Sequence, residues 1–277
     1  MAAPVNGVAT PPEADRAQSE AKGRFQSAKR LFFWALMFRL LVLMLGLLGT
    51  FATGAWSLRI ILALFFFLLI AEGLSLASDH QKGEAEGLLR RVDFWKGFGW
   101  TMSSAERRRI GAREPLLQET TPYFASEAPL GARRATENLA EQAWWSAEQY
   151  CWMGNLVIGC VGVVFLLTLG FILMVLAQGA STGSPLQTVK LVSGLLNLTF
   201  SLGLLKLYFG YQRMQRASEA AEAAAERLLK QPDIDTLEAL RLYANYHVAR
   251  ASVPLIPDAL YHFRQEDLDQ RWKAEYG

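Results

Sequence analysis

The sequence predicts an all-α fold: an integral membrane protein with four transmembrane helices in two hairpins, extended by cytoplasmic helices. Three observations predict it. Of 277 residues, 52% are hydrophobic, and these gather in four long runs separated by charged stretches. Each run has about the 20 apolar residues that a helix needs to cross a hydrocarbon layer of roughly 30 Å. Lys and Arg cluster at the same end of all four runs, which sets one orientation for the chain.

Residues 1–24, rich in Ala, Pro, Gly and polar side chains, are expected to form a disordered N-terminal tail. Residues 25–76 form transmembrane hairpin 1, with spans over Leu31–Thr53 and Leu58–Leu76 joined by a short turn carrying Trp56, a residue suited to a membrane–water interface. The first span starts too far in, and runs too long, for a cleavable signal peptide, and reads as a signal anchor. Residues 77–152 are a cytoplasmic helical region whose ends continue the neighbouring spans. Gly97 and Gly99 stop its first helix, Ser103 and Glu106 have capping-box spacing, Pro122–Pro129 is a loop, and Ala132–Trp152 is helical. Residues 153–211 form transmembrane hairpin 2, with spans over Asn155–Ala177 and Leu191–Gly210 and a turn rich in helix breakers. Residues 212–277 are cytoplasmic C-terminal helices: one to Lys230, stopped by Pro232; one capped by Asp235, with Leu237, Leu240, Tyr243 and Tyr246 toward one side; and one from Asp258. Lys22, Arg24, Lys29, Arg30, Lys82, Arg90, Arg91, Arg133, Arg134, Arg213 and Arg216 flank the spans on one side, whereas Arg59 and Lys190 alone lie near the hairpin turns. Both termini and the central region are therefore expected in the cytoplasm.

Arg39 and Glu72 are ionisable residues inside apolar runs, where charge is costly. Both fall in the cytoplasmic half of hairpin 1. Because helical side chains lean toward the helix N-terminus, the two can meet at one depth, as a pair or along a shared polar path. The alternative is that Arg39 snorkels to the interface. On the fourth span, Ser193, Asn197 and Ser201 recur every four residues. That stripe fits a pore lining or helix–helix glue. Gly46, Gly49, Gly159, Gly162 and Gly170 suggest close helix packing. Trp95, Trp100, Trp144, Trp145 and Trp272 fit a cytoplasmic core or a membrane surface, and Arg107-Arg108-Arg109 fits a solvated face or a contact with anionic lipid.

The formal net charge of +2 gives no support to a nucleic-acid partner. Cys151 and Cys160 would stand roughly 13 Å apart along one helix, too far to bridge, and are expected to be small buried hydrophobes. The three histidines, His80, His247 and His262, have no metal-ligand spacing, and no phosphate-binding glycine loop or nucleophile elbow is present. The expectation is a non-enzyme with no catalytic residues, no cofactor and no metal.

At the C-terminus the pattern becomes more particular: Tyr243, Arg250, Pro254-Leu255-Ile256-Pro257, Leu260-Tyr261, Arg264, Leu268 and Trp272. With the two cytoplasm-facing hairpins, it resembles the four-transmembrane effectors of prokaryotic nucleotide-second-messenger conflict systems, the SMODS-associated effectors. The stretches Asp93–Ser103 and Tyr123–Pro129, with Arg133-Arg134 and Glu137–Glu141, are also similar to bacterial membrane proteins of uncharacterised role. The first resemblance implies a membrane-perturbing effector of antiviral defence, triggered by a separate cytoplasmic sensor. Four helices enclose at most a narrow conduit, so a pore-forming or membrane-disrupting effector implies a homo-oligomer. The other reading is a membrane anchor or assembly subunit that recruits a cytoplasmic partner.

Overall fold

The computed structural model describes residues 12–49, 55–100, 103, 105, 126–177 and 203–276. Among these, all regular structure is helical: α1 (Pro12–Gly49), α2 (Ala55–Phe98), α3 (Ala132–Ala177), α4 (Leu204–Leu229), α5 (Thr236–Ala251) and α6 (Asp258–Tyr276). The first four form two long hairpins, α1 on α2 and α3 on α4. The hairpins touch each other more lightly, through α2 and α3, and α5 and α6 pack across their polar ends.

The first hairpin is zipped by small residues at a strict seven-residue spacing. Ala14, Ala21, Ala28 and Ala35 on α1 are buried, as are Ala71, Ser78, Ala85 and Val92 on α2. The Ser78 hydroxyl donates to the Ala28 carbonyl at 2.8 Å, which sets the antiparallel register. Steps of seven from that bond place Ala35 level with Ala71, Ala21 with Ala85, and Ala14 with Val92. A seven-residue repeat keeps one seam facing the partner as the helices supercoil, and Ala at the seam lets the two backbones approach closely. Stacked Phe38 and Phe67, 5.8 Å apart, carry the same register into the apolar half.

The second hairpin uses large side chains. Tyr211, Met214, Ser218, Ala221, Ala225 and Leu228 line α4 at alternating steps of three and four, facing Ala135, Leu139, Ala143, Met153 and Val157 of α3. Gly154 admits the Gln212 amide, which would stand 3.1 Å from an added Cβ. α2 ends where Gly99 takes φ +70, a left-handed turn that glycine adopts at little cost, and Gly97 lets the α3 backbone approach at Ala135.

Several expectations change. Residues 12–24 are not a disordered tail: they are the first turns of α1, with Ala14, Ala17 and Ala21 fully buried against α2. Low hydrophobicity misled there, because an alanine seam needs few large residues. Cys160 is exposed and Cys151 half-buried, so neither is the buried hydrophobe expected. On α5, Tyr243 and Tyr246 are buried as expected, but Leu237 is exposed, and Ala239 and His247 are buried beside the two tyrosines. Among the described residues, an added Cβ at Gly46, Gly159, Gly162 or Gly170 would meet no atom within 4 Å, while residues 178–202, which include most of the expected fourth span, lie outside the description. The close approaches occur at Gly97, Gly154 and Gly210. Trp95 and Trp144 are core residues, while Trp100 is half-exposed and stacks on Phe94. Ser193, Asn197 and Ser201, Glu106, the run Arg107–Arg109, and most of the fourth span lie outside the described residues.

α2 and α3 are long and apolar enough to cross a membrane, by length and composition. Their apolar halves are bare, with Phe65, Phe165 and Leu166 each more than half exposed.

Candidate functional site: a charged seam and a proline strap

In the apolar half of the first hairpin, Arg39 and Glu72 meet. Arg39 Nη2 donates to Glu72 Oε1 at 2.8 Å. By the Ala35–Ala71 step of the seam, Arg39 is level with Phe67, and Glu72 stands five residues nearer the polar end, about 7 Å by helical rise. The two side chains, each leaning toward its own helix N-terminus, close that gap. The pair cancels two charges that would otherwise stand singly among apolar side chains.

A second, larger set of charges lies buried at the polar end. Lys82, Glu86 and Asp93 share one face of α2, and all are buried. Each meets the C-terminal end of α5. The Lys82 ammonium donates to the Ala251 carbonyl at 2.9 Å and also to the Val253 carbonyl. Glu86 Oε1 lies 3.2 Å from Arg250 Nε. Asp93 Oδ2 lies 3.3 Å from His247 Nε2, with both side chains almost wholly buried. The order along the two helices is antiparallel, so the three contacts form one seam. Lys82 also satisfies carbonyls left open where α5 ends, at the negative end of that helix's dipole. Burial lowers the Lys82 pKa from its usual 10.5, chiefly by desolvation, and the Glu86 carboxylate partly offsets this.

The Asp93–His247 contact is enclosed by rings. Tyr243 stacks on the imidazole at 5.6 Å and Tyr246 meets it edge-on at 5.8 Å. An Asp–His pair is half of a nucleophilic triad, but this one has no path to solvent: His247 is 1% exposed. Asn138 and Gln142 of α3 and Ser218 of α4 are also buried, and their side-chain polar atoms make no hydrogen bond among the described residues. No group of three His, Cys, Asp or Glu able to hold a metal ion occurs among the described residues.

Past α5 the chain crosses to α6 as a strap, Ser252–Pro257. Tyr211 donates its hydroxyl to the Leu255 carbonyl at 2.9 Å, and Pro254 fills the space beside Gly210, where an added Cβ would stand 2.6 Å from the ring. Asp258, the first residue of α6, takes Lys29 of α1 at 2.5 Å. Arg271 makes a two-pronged contact with Glu148 of α3, at 2.6 and 3.0 Å, and Trp272 meets Trp144. The C-terminal module therefore touches all four long helices at the level where their polar ends give way to apolar ones.

Of the residues singled out from sequence, Arg39 and Glu72 come together. Tyr243, Arg250 and Pro254 enter the seam or the strap, and Trp272 meets Trp144 from α6. Lys82, Glu86, Asp93 and His247 were not recognised as a site. The readable signal was three charged residues in phase on a helix that also carries Leu89 and Val92. Their partners lie more than 150 residues away in the chain, beyond any local pattern. No protein-family model, curated protein or solved structure matches the chain.

Proposed function

We propose that the chain is a multi-pass protein of the inner membrane, with four transmembrane helices in two hairpins and both termini cytoplasmic. In this reading it acts without catalysis, as a pore-forming or membrane-disrupting effector of a prokaryotic antiviral defence system, and its C-terminal module is the latch. The single observation that carries the reading is the buried charged seam joining α2 to α5. Its partner groups sit on the polar continuation of a helix whose most apolar 18-residue window is only 6% buried. A soluble core helix would bury that window, and bare apolar surface on this scale calls for lipid or another copy.

A buried ion pair is a poor glue, because desolvation of the charges offsets most of their attraction. The seam is therefore a contact that a modest input can open, and opening it frees α2, whose continuation is the second span. A trigger that binds the released module more tightly shifts the balance toward release. Freed hairpins then associate as a homo-oligomer through the bare faces of α2 and α3, with the Arg39–Glu72 pair and the Ser193, Asn197 and Ser201 stripe as candidate lining. The resemblance to second-messenger effectors supports a separate cytoplasmic sensor as the source of the trigger. A second reading, an anchor that recruits a cytoplasmic partner, is favoured by exposed Leu237 and Val248 on the outer side of α5.

The test is inducible expression in a bacterium loaded with a membrane-potential dye. The unlatched variant Lys82→Met/Glu86→Leu is expected to depolarise cells at lower induction than the unaltered protein, and adding Arg39→Leu to reduce that effect. If neither protein depolarises cells at matched membrane levels, and a stable cytoplasmic partner co-purifies, the anchor reading replaces the effector reading.

A further inference from the structure

We propose that the outer face of α4 binds the headgroup of an anionic phospholipid from the membrane that holds the chain. The inference rests on the membrane reading above. Lys206, Phe209, Arg213 and Arg216 follow one another at steps of three, four and three, so they share one face of α4, and all are exposed. A recess of about 280 Å³ opens there, lined by Tyr208, Phe209, Gln212, Arg213 and Arg216.

Several cations near this level are matched by protein groups: Arg24 with Glu20, Lys29 with Asp258, Lys82 with two carbonyls, Arg250 with Glu86, and Arg271 with Glu148. Arg213 and Arg216 make no hydrogen bond or ion pair among the described residues. The carboxylate one turn beyond, Glu219, is engaged by the Gln215 amide at 2.8 Å. Two guanidiniums three residues apart on a helix lie close enough to act on one anionic group.

The depth fits a lipid. Gly210, packed on Pro254 of the strap, marks the junction of the polar and apolar ends. Phe209 lies just on the apolar side, 65% exposed. Arg213 and Arg216 lie about 5 and 9 Å toward the polar side by helical rise. An acyl chain would run along Phe209 while its phosphate meets the two arginines, with Gln212 beside them as a neutral donor. Basic residues just outside the hydrocarbon layer attract anionic lipid in this way.

The full chain, extracted in mild detergent, would be analysed by native mass spectrometry and then reconstituted into phosphatidylcholine vesicles with and without phosphatidylglycerol. The unaltered protein is expected to retain anionic phospholipid and to gain thermal stability from phosphatidylglycerol. Arg213→Gln/Arg216→Gln should bind it about thirtyfold more weakly. Arg213→Lys/Arg216→Lys should keep part of that binding, and Arg227→Gln all of it. Equal retention by the Gln double variant overturns the proposal. So does binding of inorganic phosphate to lipid-free protein with the same arginine dependence, which would make the occupant a soluble anion. Extraction of the unaltered protein with no phospholipid of any kind would instead remove the membrane reading itself.

Discussion

The C-terminal module grips its two neighbours with a different balance of forces. Against the first hairpin buried charge dominates: Lys82, Glu86 and Asp93 of α2 meet the end of α5, beside ring contacts of Phe94 and Phe98 with Tyr243. Against the second, beyond the surface pair Arg271–Glu148, rings and methyl groups dominate: Tyr211, Met214 and Met153 close a core with Tyr243, Tyr246, Val253 and Ile256. Apolar contact is non-directional and tolerates small shifts, whereas a buried charge needs its partner in place. The module should thus stay with α3 and α4 when it parts from α2, hinging about the strap and not falling free.

The largest effect should come from unbalancing the seam. Asp93→Leu removes the carboxylate that stands 3.3 Å from the buried His247 imidazole and should cost up to about 3 kcal/mol, read as a lowered unfolding midpoint in detergent. Adding His247→Leu should restore most of that loss, since an apolar pair needs no partner. A double variant as unstable as the single one would mean that the contact is not an energetic unit. On the apolar side, Gly210→Ala should cost about 1–3 kcal/mol by driving Pro254 off α4. If thermal unfolding of that variant matches the unaltered protein, the strap is looser than its geometry indicates.

The smallest effect separates the two grips by pH. Burial raises the pKa of Tyr246 and Tyr261 above the usual 10.0, so their contribution is whole below about pH 10 and drains away as pH climbs through the raised values. Lys82 has the reverse sign: its pKa is lowered from 10.5, the unfolded chain binds the extra proton in that window, and its contribution grows as pH rises toward 10.5. Lys82→Met should therefore steepen the alkaline loss of stability. Parallel curves for the two proteins would show that the lysine is not desolvated in the fold.

Much of the framework was legible from local pattern. Gly97 and Gly99 ending α2, Ala132 opening α3, Asp235 capping α5 by accepting from the Leu237 amide, and Asp258 opening α6 all follow from caps and breakers. The Arg39–Glu72 pair was readable because a hairpin with a short turn makes depth calculable. The alanine seam was visible in principle, as Ala at every seventh residue, but it was hidden by reading large apolar residues as the only packing signal. The Asp93–His247 contact was not readable. Nothing local tells which helix the face of α5 carrying Tyr243, Tyr246 and His247 will meet, and Leu237, at the margin of that face, is exposed.

Ala14 and Ala35 belong to one unbroken seam, although the first stands among charged residues and the other among phenylalanines. Teeth this small and this evenly spaced engage only in whole steps, so the strands of the zipper can neither creep nor twist a little. The first hairpin is therefore expected to move as one body, its polar tip and its apolar end together.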